Sequence, residues 1–321
     1  MARLLLARAG QAALVIWLVV TATFVLVRQA PGDPFAHLAA DPSVPVEVRD
    51  QLRRSFGFDG PVGEQYLRFL THAARGDLGW SVSRSAPVRQ VLARTLPNSL
   101  LLMGTAVLLG FAAGIALGAW QGWRPDSAVA RLTDRLGLVL LSVPEFVVAL
   151  LLVLGPALGL GLFPVGRMRT EFGPTGFAAI GDVLHHLILP VLSIALVLTA
   201  VVARHQRAAM DGVRDREFIR AARARGVPEP RIFLRHALRN ALVPVLTLTG
   251  VVLPSVLGGS VLVESIFAWP GMGLATIDAV LSRDYHLVVG CVLVSAICVV
   301  AASFVADLAV LWADPKRRSA R

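Results

Sequence analysis

The side chains that could carry chemistry are few and widely separated along the chain. Glu145 lies near the start of an apolar run, where an ionisable group often marks a pathway through a membrane but can also reach the headgroups; both interpretations stay open. His185 and His186 have no third clustered ligand, which favours an interfacial role over a metal site. Cys291 and Cys298 share one apolar run and are predicted to be small packing residues rather than a disulfide or zinc framework.

The chain lacks the sequence motifs of ATP hydrolysis and of common hydrolases. A P-loop requires GxxxxGK[ST], in which the lysine reaches the phosphates. The single lysine, Lys316, follows Pro315 and cannot belong to such a motif. HExxH and GxSxG are absent as well. A membrane-embedded enzyme would need catalytic groups clustered within the apolar runs, and Glu145 alone is too little. We therefore expect a protein that is not an enzyme and binds no cofactor itself.

Composition places these side chains in a membrane. Of 321 residues, 55% are hydrophobic and 16% are charged, which is more apolar than a soluble domain of this length. Six runs are long enough to cross a hydrocarbon core about 30 Å thick, and none of them contains lysine or arginine. They are residues 10–27, 98–119, 136–163, 187–203, 241–263 and 287–311. The sequence therefore predicts an all-α polytopic membrane protein with six transmembrane helices, the first of them uncleaved.

The basic residues predict the orientation of these spans. The two termini and the loops 120–135 and 204–240 together hold 19 basic residues, whereas the loops 164–186 and 264–286 hold three. Short loops rich in arginine and lysine stay in the cytoplasm, while long segments such as 28–97 cross regardless of charge. Both termini and the segment 204–240 are therefore predicted to be cytoplasmic. The net charge of +10 follows this pattern and does not indicate nucleic acid as a partner.

The segment 204–240 is predicted to form two short helices joined by a tight turn. Asp215 is expected to be the N-cap of the first helix, and Gly226 to occupy the left-handed position after its last turn. Pro228 prevents continuation of the helix, and Pro230 suits the first position of the second helix. A DNA-binding helix-turn-helix has a similar outline, but both ends here are tied to spans. A docking element for a cytoplasmic partner therefore fits better than DNA binding or a merely solvated loop.

The string RAARARGVPEPRIFLRHALRNALVP resembles the cytoplasmic signature loop of ABC-importer permeases. Further strings look like the B-type subunit of the dipeptide/oligopeptide/nickel permease family: APGDP, GDLGWSVSRSAPVRQVLARTLPNSLLL, HLILPVLSIAL, ESIFAWPGMGLATIDAVLSRDYHLVVG and DPKRR. The resemblance covers nearly the whole chain and implies a type I ABC-importer permease fold in a bacterial cytoplasmic membrane. It implies an N-terminal span with an external segment over 1–94, a transmembrane domain over 95–311 that contains the coupling loop 204–240, and a basic tail over 312–321.

The resemblance also implies which residues couple the permease to its ATPase. Ala221, Ala222 and Gly226 match the alanines and the glycine of the family motif, and Arg220 stands where the general motif has a glutamate, a departure common in the peptide-transporting branch. The coupling residues expected by position are Glu217, Arg220, Ala221, Ala222, Arg225, Gly226 and Val227. Substrate is expected to pass near kinks in the spans, with Pro144, Glu145 and Pro254 as the candidate pathway residues.

The partners implied by the resemblance are a related C-type permease that completes a heterodimer, two cytoplasmic ATPase subunits or domains that use ATP and magnesium, and an extracytoplasmic substrate-binding protein. The lipid bilayer is the remaining partner, and no nucleic acid is expected. Peptides are the expected substrate, with nickel chelates, haem or another small solute as alternatives within the same architecture. A proton-coupled transporter would show internal repeats and several buried acids, which the sequence does not contain.

Overall fold

A computed structural model describes residues 2–29 and 61–313, and these residues are predominantly helical. The sequence PVEVRDQLRRSFGFDG also predicts a short helix that ends at Gly57; this helix and nearly all of the basic tail lie outside the described residues. The helices are α1 (Ala2–Gln29), α2 (Val62–Ala74), α3 (Val88–Trp123), α4 (Ala128–Ser142), α5 (Glu145–Leu152), α6 (Phe177–Arg214), α7 (Glu217–Ala224), α8 (Glu229–Arg231), α9 (Arg239–Ile266), α10 (Met272–Leu281) and α11 (Tyr285–Ala313). π-Helical turns extend α5 over Val153–Gly159 and join α8 to α9 over Ile232–Leu238.

The long helices confirm the membrane character of the chain. Within the described residues, four helical segments are long and apolar enough to cross a bilayer: Val88–Trp123, Phe177–Arg214, Glu229–Val256 and Tyr285–Ala306. A fifth is obtained if α4 and α5 count as one broken span, and the apolar stretch of α1, Gly10–Leu26, is shorter. The fold class is confirmed, while the number of six spans and the cytoplasmic termini stay predictions.

The third predicted span, 136–163, is broken rather than continuous. α4 and α5 meet at an angle of 106° across the residues between Ser142 and Glu145. Val143 adopts an extended conformation, with φ −102° and ψ 126°, immediately before Pro144. The proline ring disfavours helical geometry at the preceding residue, which explains the break. Pro144 and Pro156 in this run indicate kinks, and the kink at Pro144 is the sharp change of direction between α4 and α5.

One compact unit comprises the described residues before 100 together with residues 270–298. It contains a two-stranded antiparallel hairpin, β1 (Trp80–Ser81) and β2 (Ala86–Pro87). A buried cluster joins the hairpin's flank, the start of α3, α10 and the start of α11, and its members include Val88, Leu92, Met272, Ala275 and Leu287. The sequence VGEQYLRFLTHAARGDLG predicts an amphipathic helix with Tyr66, Leu67, Phe69 and Leu70 as its apolar stripe. The helix is confirmed as α2, although Leu67 is exposed.

A single buried carboxylate holds the hairpin of this unit. Asp284 is 2% exposed and caps the start of α11, where its Oδ1 accepts from the Leu287 amide at 3.2 Å. Its Oδ2 accepts from the Ser81 hydroxyl at 2.6 Å and from the amide and hydroxyl of Ser83 at 2.9 and 2.7 Å. Hydrogen bonds to a charged acceptor are among the stronger ones in proteins. Asp284 therefore joins segments that are about 200 residues apart in the sequence.

The second unit comprises residues 100–269 and the described residues from 299 onward. Within it α6 packs on α9, α4 and α5, and it also approaches α3 closely. Four buried glycines of α3, spaced four residues apart, face α6 and are called the glycine stripe here: Gly110, Gly114, Gly118 and Gly122. A Cβ at Gly118 would lie 2.3 Å from the Ala203 carbonyl oxygen. Small residues at this spacing let two helix backbones approach closely within a membrane. The stripe thus fixes α3 against α6.

Candidate functional site

The short helix α7 is anchored by its inner face. Ile219 and Ala222, three residues apart, are both buried. They belong to a core with Ala119 of α3, Met210 of α6 and Ala241 of α9, together with Ile232 and Ala237 of the π-helical turn. Residues three apart lie on one side of a helix. The helix is therefore packed directly on the ends of three long helices, and it is not a loosely solvated loop.

Gly226 ends α7 as the sequence predicted. Its φ is +74°, in the left-handed region that side chains with a Cβ rarely adopt. The Gly226 amide donates to the Arg223 carbonyl at 2.9 Å, and the Val227 amide donates to the Ala222 carbonyl at 3.2 Å. This pair of bonds is typical of a glycine-terminated helix and satisfies carbonyls that the helix end would leave open. Val227 then packs into the core beneath α7.

Three contacts that sequence reasoning missed brace the turn. Arg223 on α7 donates to Glu229 on α8 at 2.6 Å, which closes the turn with an ion pair. The Arg223 guanidinium also lies 5.4 Å from the ring centroid of Trp123, at the end of α3. Trp123 in turn packs on Phe233, with ring centroids 5.5 Å apart. The ion pair could have been predicted from the opposite charges of Arg223 and Glu229, which are six residues apart. The contact with Trp123 could not, because Trp123 is distant in the sequence.

The outer face of α7 is exposed and is called the coupling surface here. It consists of Glu217, Phe218, Arg220 and Ala221. Phe218 is 42% exposed, which is unusual for an aromatic side chain in a charged segment. Arg225 and Gly226 are also exposed and adjoin this surface, whereas Val227 is half-buried. Most of the residues expected to couple to an ATPase are therefore accessible together on one short helix and its end.

Three details of this segment differ from expectation. Ala222 is buried, so only Ala221 of the two alanines leaves room for a close approach from outside. Asp215 ends α6 instead of capping α7, whose N-cap is Arg216, and the Arg216 side chain makes no capping hydrogen bond. Helix α8 begins at Glu229, so Pro230 occupies its second position. The displaced cap follows because α6 extends to Arg214 and leaves only Asp215 and Arg216 before α7.

The candidate pathway residues lie in the second unit but on different helices. Pro144 precedes α5, where Glu145 is the first residue after the 106° break. One carboxylate oxygen of Glu145, Oε1, is buried and has no hydrogen-bond partner among the described residues. Pro254 lies within α9, which continues through it. α5 packs against α9.

The histidine pair has ordinary structural partners. His185 Nε2 lies 3.1 Å from the Leu162 carbonyl oxygen, and His186 Nδ1 lies 2.9 Å from the Asp182 carbonyl oxygen. Across residues 2–29 and 61–313, no group of three or more histidine, cysteine or acidic side chains is arranged to hold a metal ion. The interfacial role expected for these histidines stays a prediction.

Comparison with known proteins identifies related sequences along the whole chain. Residues 91–319 match the family described as the binding-protein-dependent transport system inner membrane component, and residues 1–103 match its N-terminal companion family. The chain is 37% identical to an oligopeptide transport system permease protein of Bacillus subtilis over 298 residues, covering 92% of each chain. It is also 37% identical to a glutathione transport system permease protein of Pectobacterium atrosepticum, covering 84% of each.

A solved structure shares the fold. The inward-facing MetNI methionine ABC transporter matches 70% of this chain and 97% of its own with a TM-score of 0.54, at 16% sequence identity. That match concerns the fold alone, while the sequence matches concern the family. The fold, the apolar helices and the matched residues agree with the resemblance found in the motifs. The chain therefore belongs to the inner-membrane permease components of binding-protein-dependent ABC importers, a family of transport subunits and not of enzymes.

Proposed function

We propose that this chain forms half of the path by which a peptide crosses the bacterial inner membrane, and that the coupling surface docks on a cytoplasmic ATPase. The observation that carries the proposal is α7 itself, with a buried inner face, an exposed outer face and a glycine stop. In this arrangement a related C-type permease completes the path, and an extracytoplasmic binding protein delivers the substrate. ATP and magnesium are used by the ATPases alone.

The packing of α7 explains how an ATPase would drive the permease. A displacement of α7 acts on Ile219 and Ala222, which are buried among residues of α3, α6 and α9. Closely packed interiors transmit strain because they have few voids in which to absorb it. The braced turn adds stiffness through the Arg223–Glu229 ion pair. Closure of two docked ATPases would therefore move the long helices rather than bend a loop.

The relatives support a peptide as the substrate. The proteins from Bacillus subtilis and Pectobacterium atrosepticum are named for oligopeptides and for glutathione, and a 36%-identical relative from Brucella abortus is named as a putative peptide transport permease. These names favour peptides over nickel chelates or haem. The substrate-binding protein contributes much of the selection, so uptake of a labelled dipeptide by vesicles that contain the complete importer is the direct test.

Glu145 is proposed to contact the substrate on its way through the permease. Its partner-free Oε1 at a broken span can accept a hydrogen bond from a peptide ammonium or amide. A hydrogen bond to a charged group contributes about 1.5–3 kcal/mol. Glu145→Gln is expected to lower vesicle uptake roughly tenfold while ATPase binding is retained. Glu171→Gln, at an exposed acid on the loop before α6, is the control. Wild-type uptake by Glu145→Gln would remove Glu145 from the pathway.

The coupling proposal is tested at Gly226. Gly226→Val places a branched side chain at a φ of +74°, which costs about 1–2 kcal/mol or more in the folded turn. No atom lies within 4 Å of the new Cβ position, so the effect comes from the backbone and not from a clash. The protein should insert normally, because the spans do not depend on this turn. Co-purification with the ATPase, or uptake, should fall about fivefold or more.

Two controls accompany this variant. Gly212→Val makes the same change near the end of α6, at a glycine whose φ is helical and whose surroundings are open, so it should leave coupling intact. Arg225→Lys preserves the charge at the helix end and should have little effect. If Gly226→Val binds the ATPase and transports at the wild-type rate, the coupling assignment is wrong and the packed segment has no part in driving transport.

A further inference from the structure

A cleft between α3, α4 and α6 has no role in the proposed coupling or pathway. Its volume is about 330 Å³, and it lies entirely within the second unit. Its lining includes Leu117 and Gln121 of α3, Thr133, Asp134, Leu138 and Leu141 of α4, and Ala200, Arg204, Arg207 and Asp211 of α6. Large apolar side chains of α4 beside it, Leu132, Leu136 and Val139, are exposed.

Polarity changes at the same level on all three helices of this cleft. Its apolar end is formed by Leu117, Leu138, Leu141 and Ala200. Its polar end is formed by Gln121, Asp134, Arg204 and Arg207. Gln121 also donates to Thr133 at 3.0 Å, which keeps the polar ends of α3 and α4 together. An apolar end beside a charged end is the pattern expected where a span reaches the boundary between hydrocarbon and headgroups, since charged side chains in spans collect at the membrane interface.

The polar end of the cleft has two carboxylates and two arginines. Asp134 forms an ion pair with Arg207 at 2.5 Å, and Asp211 lies 3.9 Å from the same guanidinium. Both carboxylates therefore lie next to Arg207 and not next to Arg204. Arg204 is exposed, and within the described part of the chain no hydrogen bond or ion pair engages its guanidinium. The planar guanidinium of an arginine at such a position can donate two hydrogen bonds to the oxygens of one phosphate group.

The size of the cleft indicates what could fill it. A cavity needs about 10–15 Å³ of water-accessible space to hold one water, so a cleft of about 330 Å³ has room for a phosphate and a run of methylene groups. Its contents must be apolar at one end and anionic at the other.

We propose that this cleft binds a glycerophospholipid of the cytoplasmic leaflet, with the lipid phosphate on Arg204 and an acyl chain between α4 and α6. Basic pockets between transmembrane helices on the cytoplasmic side suit anionic headgroups. The inference rests on the orientation adopted in the proposed function, because that orientation places Arg204 at the cytoplasmic surface. A lipid in this position would fill the space between the broken span and α6.

The test measures lipid retained by the complete importer. The complex is purified in detergent and titrated with phosphatidylglycerol, and bound lipid is counted by native mass spectrometry. Arg204→Gln is expected to weaken retention about fivefold or more, as expected for loss of a charge-assisted contact. Gly137→Leu should do the same by filling the cleft, since a Cβ there makes only an ordinary 3.9 Å contact with Ala200. Arg135→Gln, an exposed cation on α4 outside the lining, is the matched control and should retain lipid.

Each outcome decides the proposal. Equal retention by Arg204→Gln and Arg135→Gln would overturn it. Competition by soluble glycerophosphoglycerol at the same concentration as the lipid would show a plain anion site and would overturn the role of the acyl chain. Crosslinking of a cysteine at Leu138 to the partner permease, without lipid retention, would mean a protein interface instead. Lipid retention does not require coupling to an ATPase. If Arg204→Gln loses lipid as expected while Gly226→Val transports at the wild-type rate, the lipid site stands and only the proposed coupling is rejected.

Discussion

Gly118→Val is expected to prevent recovery of a stable permease. A Cβ at position 118 would lie 2.3 Å from the Ala203 carbonyl oxygen and 2.8 Å from the Ala203 Cα. Both atoms are backbone, so no rotation of a side chain relieves the contact, and α3 must separate from α6. Packing is the main force between membrane helices because lipid tails are as apolar as their side chains. Overpacking usually lowers the free energy of unfolding by about 1–3 kcal/mol. Because the clash here is with backbone atoms, we expect a loss at or above the upper end of that range.

The measurement is thermal stability and the yield of monodisperse protein in detergent. Gly104→Val is the matched control, because Gly104 lies on the same helix with no atom within 4 Å of its Cβ position. Gly118→Ala should be intermediate, since it adds the clashing Cβ without the branches. Equal yields and melting temperatures for Gly118→Val and Gly104→Val would show that α3 and α6 do not cross this closely.

Asp284→Ala is expected to release the hairpin of the first unit. The change leaves two serine hydroxyls and the Ser83 amide without their acceptor, and it removes the cap on the Leu287 amide. A buried donor that is left without an acceptor costs about 1–3 kcal/mol, and this variant leaves several of them together. Amide hydrogen exchange over residues 80–87 should accelerate by about a hundredfold or more, because every 1.4 kcal/mol corresponds to a factor of ten.

Asp278→Ala is the comparison for this variant. Asp278 forms an ion pair with Arg84 of the same hairpin at 2.6 Å, but both side chains are substantially exposed. Exposed ion pairs contribute about 0–1 kcal/mol, so exchange in the hairpin should change fivefold at most. Asp284→Asn should lie between the two, because it keeps the shape and part of the accepting capacity. If Asp284→Ala exchanged no faster than Asp278→Ala, the hairpin would be held by packing.

The candidate site could be predicted from the sequence where its determinants are local. The stop at Gly226 depends on residues within one helical turn, and its positive φ is confirmed. The different environments of Ala221 and Ala222 could not be predicted in the same way. They are adjacent small residues in one motif, and only the packing of Ile219 on the ends of α3 and α6 turns Ala222 inward. Arg223 received its partners Glu229 and Trp123 from the same packing.

The sequence by itself determined the membrane class, the family and the punctuation of the coupling segment. These features are properties of short stretches of sequence: a long apolar run, the absence of basic residues within it, and a glycine with a proline two residues later. They do not depend on the rest of the chain. Only the tertiary structure decided the 106° break before Glu145, the partners of Asp284 and the cleft at Arg204. The glycines of α3 show the reason. Gly104 and Gly118 are alike in sequence, but one faces open space and the other touches a backbone that is 85 residues away. Local patterns carry no information about which helix a given face will meet.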